Sequence, residues 1–409
     1  MSAGVQWKRV AGGVTAARGF AAGAACARLK PGTRRDDLAL VVSQRPAVAA
    51  GLFTTNRVQA APVGWSRALV RAGRRVRAVL LNSGNANACT GEDGRRAVRR
   101  SAAAVARALG AEPAQILVAS TGVIGVPLPV ERLVAVVPAL AGSVATSRVA
   151  GTRAARAIMT TDTVAKERAV KVQVARHAYI VGGMAKGAGM IHPEMATMLA
   201  VLTTDAPLGW GQAQRLLRAA VATSFNALTV DGDTSTNDCV VLLANGAAGG
   251  HLPRASTAEK AIAAALGEVC RGLAEAIAAD AEGATKLLVV RVEGAGDAAG
   301  ARCIARTVAA SLLVKTAVHG GDPNWGRVLA AAGRAGVAFD PNGLELRIGG
   351  HLVARRGAAY PAGERAAARH LRRRRVEFGL RVGRGPGTAT ALGSDLGAGY
   401  VRINAHYRS

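Results

Sequence analysis

The feature that most limits how this chain can fold is its alternation of short apolar strands with longer amphipathic segments. Residues 38–43, 78–81 and 116–119 are apolar runs rich in Val, Leu and Ile, and turn-forming residues bound them, a pattern typical of buried β-strands. Between the last two, residues 95–109 place apolar side chains at helical spacing with basic residues opposite, which predicts a surface helix. Because the alternation runs through both halves without tandem repetition, it predicts α/β layering in one compact unit.

The second half of the chain continues this alternation. Residues 212–225 are predicted to be helical. Ser256 with Glu259 forms a capping-box pattern, and the apolar residues after it follow one face of a helix that is expected to end near Asp280. Residues 287–292 then predict a further strand.

The charge of the chain is strongly positive, and this bears on its partners. Lys and Arg number 53 against 26 Asp and Glu, a net charge of +27 that attracts anions. Only 3% of the residues are aromatic, which leaves few side chains to stack on bases, so nucleic-acid binding is not the predicted function. No apolar run is long enough for a membrane-spanning helix or a signal-peptide core, and we expect a cytoplasmic protein with no membrane partner.

The cysteines and the aspartate-rich loop are both interpreted as structural. The five cysteines are odd in number, widely spaced and never in a CxxC pair, so neither a disulfide framework nor a zinc site is predicted. We expect them to be buried reduced thiols. Residues 226–238 contain three aspartates but lack the terminal Glu of a calcium loop, and they are predicted to form a turn-rich structural loop.

One threonine lies in a sequence context that permits covalent chemistry. In residues 183–204, a small-residue loop carrying Lys186 leads to Thr197 at the head of the apolar run 198–202. A threonine hydroxyl is a poor nucleophile, but a threonine at a chain N-terminus carries its own base, the α-amine. Cleavage between Ala196 and Thr197 would create that arrangement. By β-propensity alone, a threonine at this place is simply a good strand former.

A second candidate is the turn after the strand at 116–119. There the hydroxyl of Thr121 and the backbone N–H of Gly122 form a plausible pair of donors for an oxyanion. A Thr-Gly dipeptide is common in proteins, so only the surrounding sequence can indicate that this pair forms an oxyanion hole.

That surrounding sequence resembles a known family. The segment KGAGMIHPEMATML, residues 186–199, is similar to the self-processing segment of the ornithine acetyltransferases, or glutamate N-acetyltransferases, of arginine biosynthesis. The turn at Thr121 lies in STGVIG, another motif of that family. Further blocks occur in the family's order over nearly the whole chain, at residues 52–63, 157–163, 226–238, 282–286, 311–327 and 400–409. The Gly- and Asn-rich loop at residues 82–91 is predicted to be a structural turn packed near the site.

The resemblance implies a fold and a set of site residues. It implies an α-β-β-α layered fold of the N-terminal-nucleophile type, self-cleaved into an α chain, 1–196, and a β chain, 197–409, which would associate as α2β2 or larger. Thr197 would be the nucleophile, and Thr121 and Gly122 the oxyanion hole. The residues that would contact the substrate are Thr163, Lys186, Thr197, Glu282, Asn404 and Ser409. Neither a metal nor a cofactor is implied, and whether acetyl-CoA serves as a co-substrate is left open.

The implied reaction moves an acetyl group from N2-acetylornithine to glutamate through an acetyl-threonine intermediate. The chain departs from the family pattern at Glu194, where Asn is usual, at Ala165, where Pro often follows the TTDT motif, and at His319, where an aromatic residue is usual. Acidic residues at the Glu194 position occur in relatives that serve antibiotic clusters. Two alternatives therefore remain: an acetyltransferase of a secondary-metabolite cluster, and a self-processing aminopeptidase or amidase of similar fold.

Overall fold

Two β-sheets and the helices that cover them make up the structure, a computed structural model that describes residues 6–29, 32, 34–192 and 198–406. The strands are β1 (Gln6–Val10), β2 (Phe20–Ala25), β3 (Leu38–Phe53), β4 (Arg75–Asn82), β5 (Ile116–Ser120), β6 (Lys166–Val174), β7 (His177–Lys186), β8 (Leu199–Thr204), β9 (Cys239–Ala244), β10 (Leu287–Ala295), β11 (Glu345–Ile348), β12 (His351–Arg355), β13 (Ala358–Ala359), β14 (Arg375–Arg381) and β15 (Gly387–Ser394). The helices are α1 (Ala61–Arg71), α2 (Gly91–Leu109), α3 (Val130–Gly142), α4 (Arg148–Ala157), α5 (Trp210–Ala222), α6 (Thr257–Ala279), α7 (Ala298–Ala310), α8 (Leu312–Gly320), α9 (Trp325–Gly333), α10 (Glu364–Leu371) and α11 (Ala398–His406).

The long strand β3 turns the first sheet into two facing layers. Its first half pairs with β2 and β4, and its second half, residues 48–53, pairs with β9. The pairing with β4 shifts register between Val42 and Ala47, which marks the bend. One layer is therefore β2-β3-β4-β5 and the other β1-β6-β7-β8-β9-β3. Buried side chains from both, such as Leu81 and Val241, share one apolar core between them.

Helices cover the outer face of each layer. The outer side chains of β6 to β9 pack on α5 and α6 in one core cluster, and those of β2 to β5 pack on α2 and α3 in another. Ser256 caps α6 by accepting a hydrogen bond from the backbone N–H of Glu259 at 3.2 Å, as its sequence predicts. The α-β-β-α layering implied by the resemblance is thus confirmed.

A second sheet follows in the C-terminal third of the chain. Its strand order is β13-β12-β11-β14-β10-β15, and one face packs on α7 to α10. Leu287 and Val289 at the start of β10 pack into the core beneath α6 and so join the two sheets. The sequence predicts β10 but not this separate sheet, because the short strands around it lack a long apolar run.

Two further predictions can be compared with the structure. All five cysteines are free thiols, but only Cys239 and Cys270 are buried, whereas Cys89 and Cys303 are exposed. The prediction of burial is wrong for that exposed pair, since one lies in a surface loop and the other on the outer side of α7. No helix in the described ranges combines the length and the apolarity needed to cross a membrane.

Candidate active site

A small polar cavity of about 70 Å³ lies where the ends of β5 and β7 meet the loop before β10 and the last helix, α11. It brings together residues that are far apart in sequence but predicted to share a site, namely Thr121, Gly122, Lys186, Glu282 and Asn404. A larger cleft of about 630 Å³, between α6, α7 and β15, contains none of them. The predicted residues therefore converge at the smaller cavity.

The turn at Thr121 and Gly122 is fixed by backbone contacts with the loop after β4. Thr121 is buried, and its N–H donates to the carbonyl of Asn82 at 3.0 Å. Gly122 has φ +133°, and a Cβ placed on it would lie 2.3 Å from the carbonyl carbon of Gly84. Only glycine permits that approach. The two proposed oxyanion donors therefore lie on a rigid turn.

Asn237 connects the same two loops through hydrogen bonds, a role that its sequence context does not predict. Its side-chain amide donates to the carbonyls of Ala86 at 2.6 Å and Ser120 at 2.8 Å. Ser235, Thr236 and Asn237 all line the cavity, so the 226–238 loop, predicted to be purely structural, also forms part of its wall. The composition of the loop does not predict the contacts of Asn237 with Ala86 and Ser120, because both partners lie more than 100 residues away in the sequence.

Lys186, at the end of β7, is a buried cation held by a buried carboxylate. Its ammonium lies 3.8 Å from Asp162 and donates to the Thr121 hydroxyl at 3.5 Å. Burial lowers the pKa of Lys186, and the charge of Asp162 opposes that effect. Asp162 also accepts from Lys166 and from the Gly187 N–H, each at 2.7 Å. Although burial alone would raise the pKa of Asp162, the charges of Lys186 and Lys166 lower it to about 2.

Glu282 and Asn404 form the opposite, more exposed side of the cavity. The amide of Asn404 donates to Glu282 at 2.8 Å, and the charge of Glu282 acts on Lys186. The carboxylate packs directly over Gly189, where an added Cβ would lie 2.3 Å from its Oε2. Gly283, at φ +68°, leaves room for the backbone of α11 at Tyr400. The acidic group and the amide are therefore positioned by close backbone packing.

Thr163 lies beside the cavity and does not line it. Its N–H donates to Asp280 at 3.0 Å, and its hydroxyl donates to the same carboxylate. The residues of that segment which do face the cavity are Thr160 and Thr161. A substrate contact by Thr163 stays a prediction.

Four predicted positions, Glu194, Ala196, Thr197 and Ser409, lie outside the described residues. The two ends of the segment that contains the first three are each anchored by an aspartate. Before it, the N–H groups of Met190 and Ile191 donate to Asp231 at 2.6 and 2.8 Å. After it, the N–H of Met198 donates to Asp238 at 2.9 Å. Within the described ranges, no three His, Cys, Asp or Glu side chains are grouped so as to hold a metal ion.

The α-β-β-α layers place this chain in the class of proteins with an N-terminal-nucleophile type of fold. More particularly, it belongs to the ArgJ family, whose model matches residues 21–409. It is 49% identical over 407 residues to the arginine biosynthesis bifunctional protein ArgJ of Symbiobacterium thermophilum, covering 99% of this chain and 100% of the relative. The ArgJ protein of Gloeobacter violaceus is 47% identical over 403 residues, covering 97% and 98%. A crystal structure of the Bacillus halodurans ArgJ protein, 39% identical, covers 50% of this chain and 97% of its own, with a TM-score of 0.49.

Proposed function

We propose that this protein is a self-processing N-acetyltransferase that moves the acetyl group from N2-acetylornithine to glutamate. The observation that carries the proposal is the convergence of Thr121, Gly122, Lys186, Glu282 and Asn404 on one cavity. Membership of the ArgJ family confirms the predicted enzyme class, an acyltransferase of arginine biosynthesis. Relatives matched from end to end carry that name, so the aminopeptidase and secondary-metabolite alternatives are not favoured.

The first step in the proposed cycle is self-cleavage. The Thr197 Oγ attacks the Ala196 carbonyl carbon, the C–N bond breaks, and the hydroxyl proton ends on the released nitrogen. Water then opens the ester and restores the hydroxyl, which leaves an α chain of residues 1–196 and a β chain of residues 197–409. The step is supported by the contacts on either side of this bond, where Asp231 holds Met190 and Ile191 and Asp238 holds Met198.

Acetyl transfer then uses the new N-terminus as its base. An α-amine has an ordinary pKa of about 7.7 to 8, so a usable fraction is neutral near pH 7.5 and can accept the Thr197 hydroxyl proton. The oxyanion that forms would face the Thr121 hydroxyl and the Gly122 N–H, each of which contributes about 3 to 4 kcal/mol in comparable enzymes. Since Lys186 donates to the Thr121 oxygen, the hydrogen of that hydroxyl is free to donate to the oxyanion.

Donor and acceptor share an α-amino-acid frame, which the charges of the cavity match. The Lys186 ammonium suits an α-carboxylate, and Glu282 suits an ammonium group. Asn404, together with Thr163 and Ser409, would add polar contacts.

Three finer points belong to the same proposal. The relatives are named bifunctional, which supports acetyl-CoA as a second acetyl donor. The α and β chains would remain associated and pair into α2β2 or a larger assembly. We place the protein in the cytoplasm, where its amino-acid substrates are available.

The test is to trap the acetyl-enzyme. N-terminal sequencing of the smaller fragment should begin at Thr197. Acetylornithine alone should then add one acetyl group to Thr197, detected by mass spectrometry, and glutamate should remove it. Double-reciprocal plots should be parallel. Intersecting plots without a trapped acetyl group would remove Thr197 from the mechanism. Hydrolysis of peptides without acetyl transfer would instead favour the aminopeptidase alternative.

A further inference from the structure

A basic groove of about 810 Å³ lies beside the segment that forms one wall of the candidate active-site cavity. Thr160 and Thr161 line the cavity, whereas Met159 and Thr163 in the same segment line the groove. Successive Cα atoms are about 3.8 Å apart, so those of Thr161 and Thr163 lie within about 7.6 Å of each other. The groove and the cavity therefore share a wall that is one segment of backbone thick.

Arginines outnumber carboxylates in this groove, and both carboxylates are already engaged. The charged residues that line it are Arg35, Asp36, Arg148, Arg153, Arg156 and Glu167. Arg153 donates two N–H groups to Asp36, at 2.6 and 3.1 Å. Glu167 accepts the hydroxyl of Thr152 at 2.6 Å, and its other oxygen is buried. The groove therefore carries a net positive charge.

Two of the arginines, Arg148 and Arg156, lie in line on α4. They are eight residues apart with Thr152 midway, a spacing that places all three on one face of the helix. At a rise of about 1.5 Å per residue, their Cα atoms are about 12 Å apart. Both side chains are exposed, and neither has a hydrogen-bond or ion-pair partner in the described part of the chain. Their guanidinium groups are thus available to a ligand.

Arg35, in the loop before β3, adds a third cation to the groove. One of its guanidinium nitrogens donates to the carbonyls of Met159 at 3.2 Å and Thr160 at 3.4 Å, so the shared wall orients it. A guanidinium group carries five N–H donors, and others remain for a ligand. The groove therefore offers donors from α4 and from a separate loop.

The unpaired arginines distinguish the groove from another basic surface of the chain. On α2, Arg99 and Arg100 are each held by a carboxylate, that of Glu92 and that of Glu131. The groove combines its free cations with exposed apolar surface, since Val164, which lines it, is 53% exposed. A ligand that fits it carries several negative charges and an uncharged portion.

We propose that this groove binds the phosphate groups of a phosphorylated acyl thioester, the chemical class of acetyl-CoA. The inference deepens the proposed function and rests on it, because it assigns a site to the second acetyl donor. Guanidinium groups bind phosphate through two parallel N–H···O bonds. Two of them on one helix face can hold phosphates at two places, such as the diphosphate and the ribose 3′-phosphate of CoA. The uncharged arm would pass Val164 and carry the acetyl group over the shared wall into the cavity.

The transfer from this donor balances without a further reactant. The C–S bond of the thioester breaks, a C–N bond to the glutamate nitrogen forms, and one proton of the amine ends on the sulfur as a thiol. The carbonyl oxygen of the donor would face the Thr121 hydroxyl and the Gly122 N–H, as that of acetylornithine does in the proposed cycle. Neither acetylornithine nor glutamate carries a phosphate, so exchange between them does not need the groove.

The decisive variants are Arg148→Gln, Arg156→Gln and the two together in the full-length protein. Each single substitution should raise KM for acetyl-CoA about five- to tenfold, as for loss of a charge-assisted hydrogen bond at an exposed site, and the double variant should raise it further. The value of kcat should change little. KM for acetylornithine should stay at the wild-type value, because neither side chain lines the cavity. Added salt should raise KM for acetyl-CoA more in wild type than in the double variant.

Arg302→Gln is the matched control. Arg302 is also exposed and without a partner in the described ranges, and it lines the separate cleft between α6, α7 and β15. The substitution removes the same charge, so its effect on KM for acetyl-CoA measures only the long-range attraction of a chain with net charge +27. A loss equal to that of Arg156→Gln would overturn the assignment of the groove.

Isothermal titration with CoA tests the site whether or not the acetyl group is transferred. Wild type should bind CoA, and the double variant should bind it roughly tenfold or more weakly. Pantetheine, which lacks the phosphates, should bind much more weakly than CoA and equally to both proteins. CoA binding that is absent from wild type, or equal in the two proteins, would overturn the proposal.

Inorganic phosphate is the last probe, and it distinguishes a free anion from the thioester donor. If it binds wild type as tightly as CoA does, the groove is a site for free phosphate and the proposal fails. Failure of the proposed function is a separate result, since wild-type protein would then not exchange acetyl groups between acetylornithine and glutamate, whatever its affinity for CoA.

Discussion

Gly122→Ala tests the proposed oxyanion hole through a contact that only glycine allows. The new Cβ would lie 2.3 Å from the carbonyl carbon of Gly84 and 2.4 Å from the nitrogen of Asn85. Ordinary contacts between such atoms are about 3.5 Å or more, so the two turns must separate by roughly 1 Å. Both contacting atoms belong to the backbone, and no flexible side chain can absorb this movement.

The expected loss follows from what that displacement does to the Gly122 N–H. Removing one oxyanion donor typically lowers kcat by about 10² to 10³, equivalent to about 2.7 to 4 kcal/mol. We expect Gly122→Ala to fall in that range for acetyl transfer, with KM for acetylornithine little changed because the ground-state carbonyl needs the donor less. Self-cleavage should slow as well, since it passes through an oxyanion at the same hydroxyl.

Gly125→Ala is the matched control on the same turn. Gly125 also has positive φ, at +80°, but nothing lies within 4 Å of an added Cβ. It introduces the strain of a left-handed backbone, about 1 to 2 kcal/mol, without the collision. Initial rates of ornithine release and thermal melting should be measured for both variants. If both lose equal amounts of activity, strain alone explains the effect and the oxyanion assignment of Gly122 fails.

Four further variants probe the charged groups of the cavity and their partners. Lys186→Ala should raise KM for acetylornithine, at a cost of about 1.5 to 3 kcal/mol, and should slow self-cleavage less; equal damage to both would assign Lys186 to cleavage. Asp162→Asn should destabilise the fold by about 3 to 5 kcal/mol, because Lys166 and Lys186 lose a buried partner. The folded pKa of Asp162 is lowered to about 2, so its contribution to the free energy of unfolding is complete above its unfolded pKa of about 4 and disappears as the pH falls to 2. Urea unfolding measured from pH 7 to pH 2 should therefore show the stabilities of wild type and variant converging at the acid end. Glu282→Gln should weaken acetylornithine binding about tenfold more than Asn404→Ala, because only the first removes a charge; isothermal titration that finds equal losses would contradict the ammonium role of Glu282.

The strands were predictable wherever the chain is continuously apolar. The first predicted strand ends at residue 43, whereas β3 continues to Phe53. The interruption is Gln44, Arg45 and Pro46, which are exposed at the bend and break the apolar run. Local patterning detects the buried halves of such a strand but not the bend that joins them, although that bend creates the two layers.

The residues proposed for the site could be selected from sequence blocks, but the contacts that support them could not. Thr121 and Lys186 lie in segments that resemble the family's motifs and follow the family's order, and both line one cavity. By contrast, Asn237 and Asp162 act through partners whose positions depend on the folded sheet. The sequence shows that such residues are polar, but only the tertiary structure shows which groups they bind.

The position of β8 and β9 in the first sheet means that the proposed cut would change how the protein refolds. These strands follow residue 197, yet they lie between β7 and β3, which precede it, in one hydrogen-bonded layer. An uncut chain that unfolds can refold by itself, at a rate that does not depend on its concentration. A cut chain must find its other fragment, so refolding becomes bimolecular and slows on dilution. Cleavage would thus make recovery from unfolding depend on protein concentration, so that at high dilution the lifetime of the fold is set by the height of the unfolding barrier.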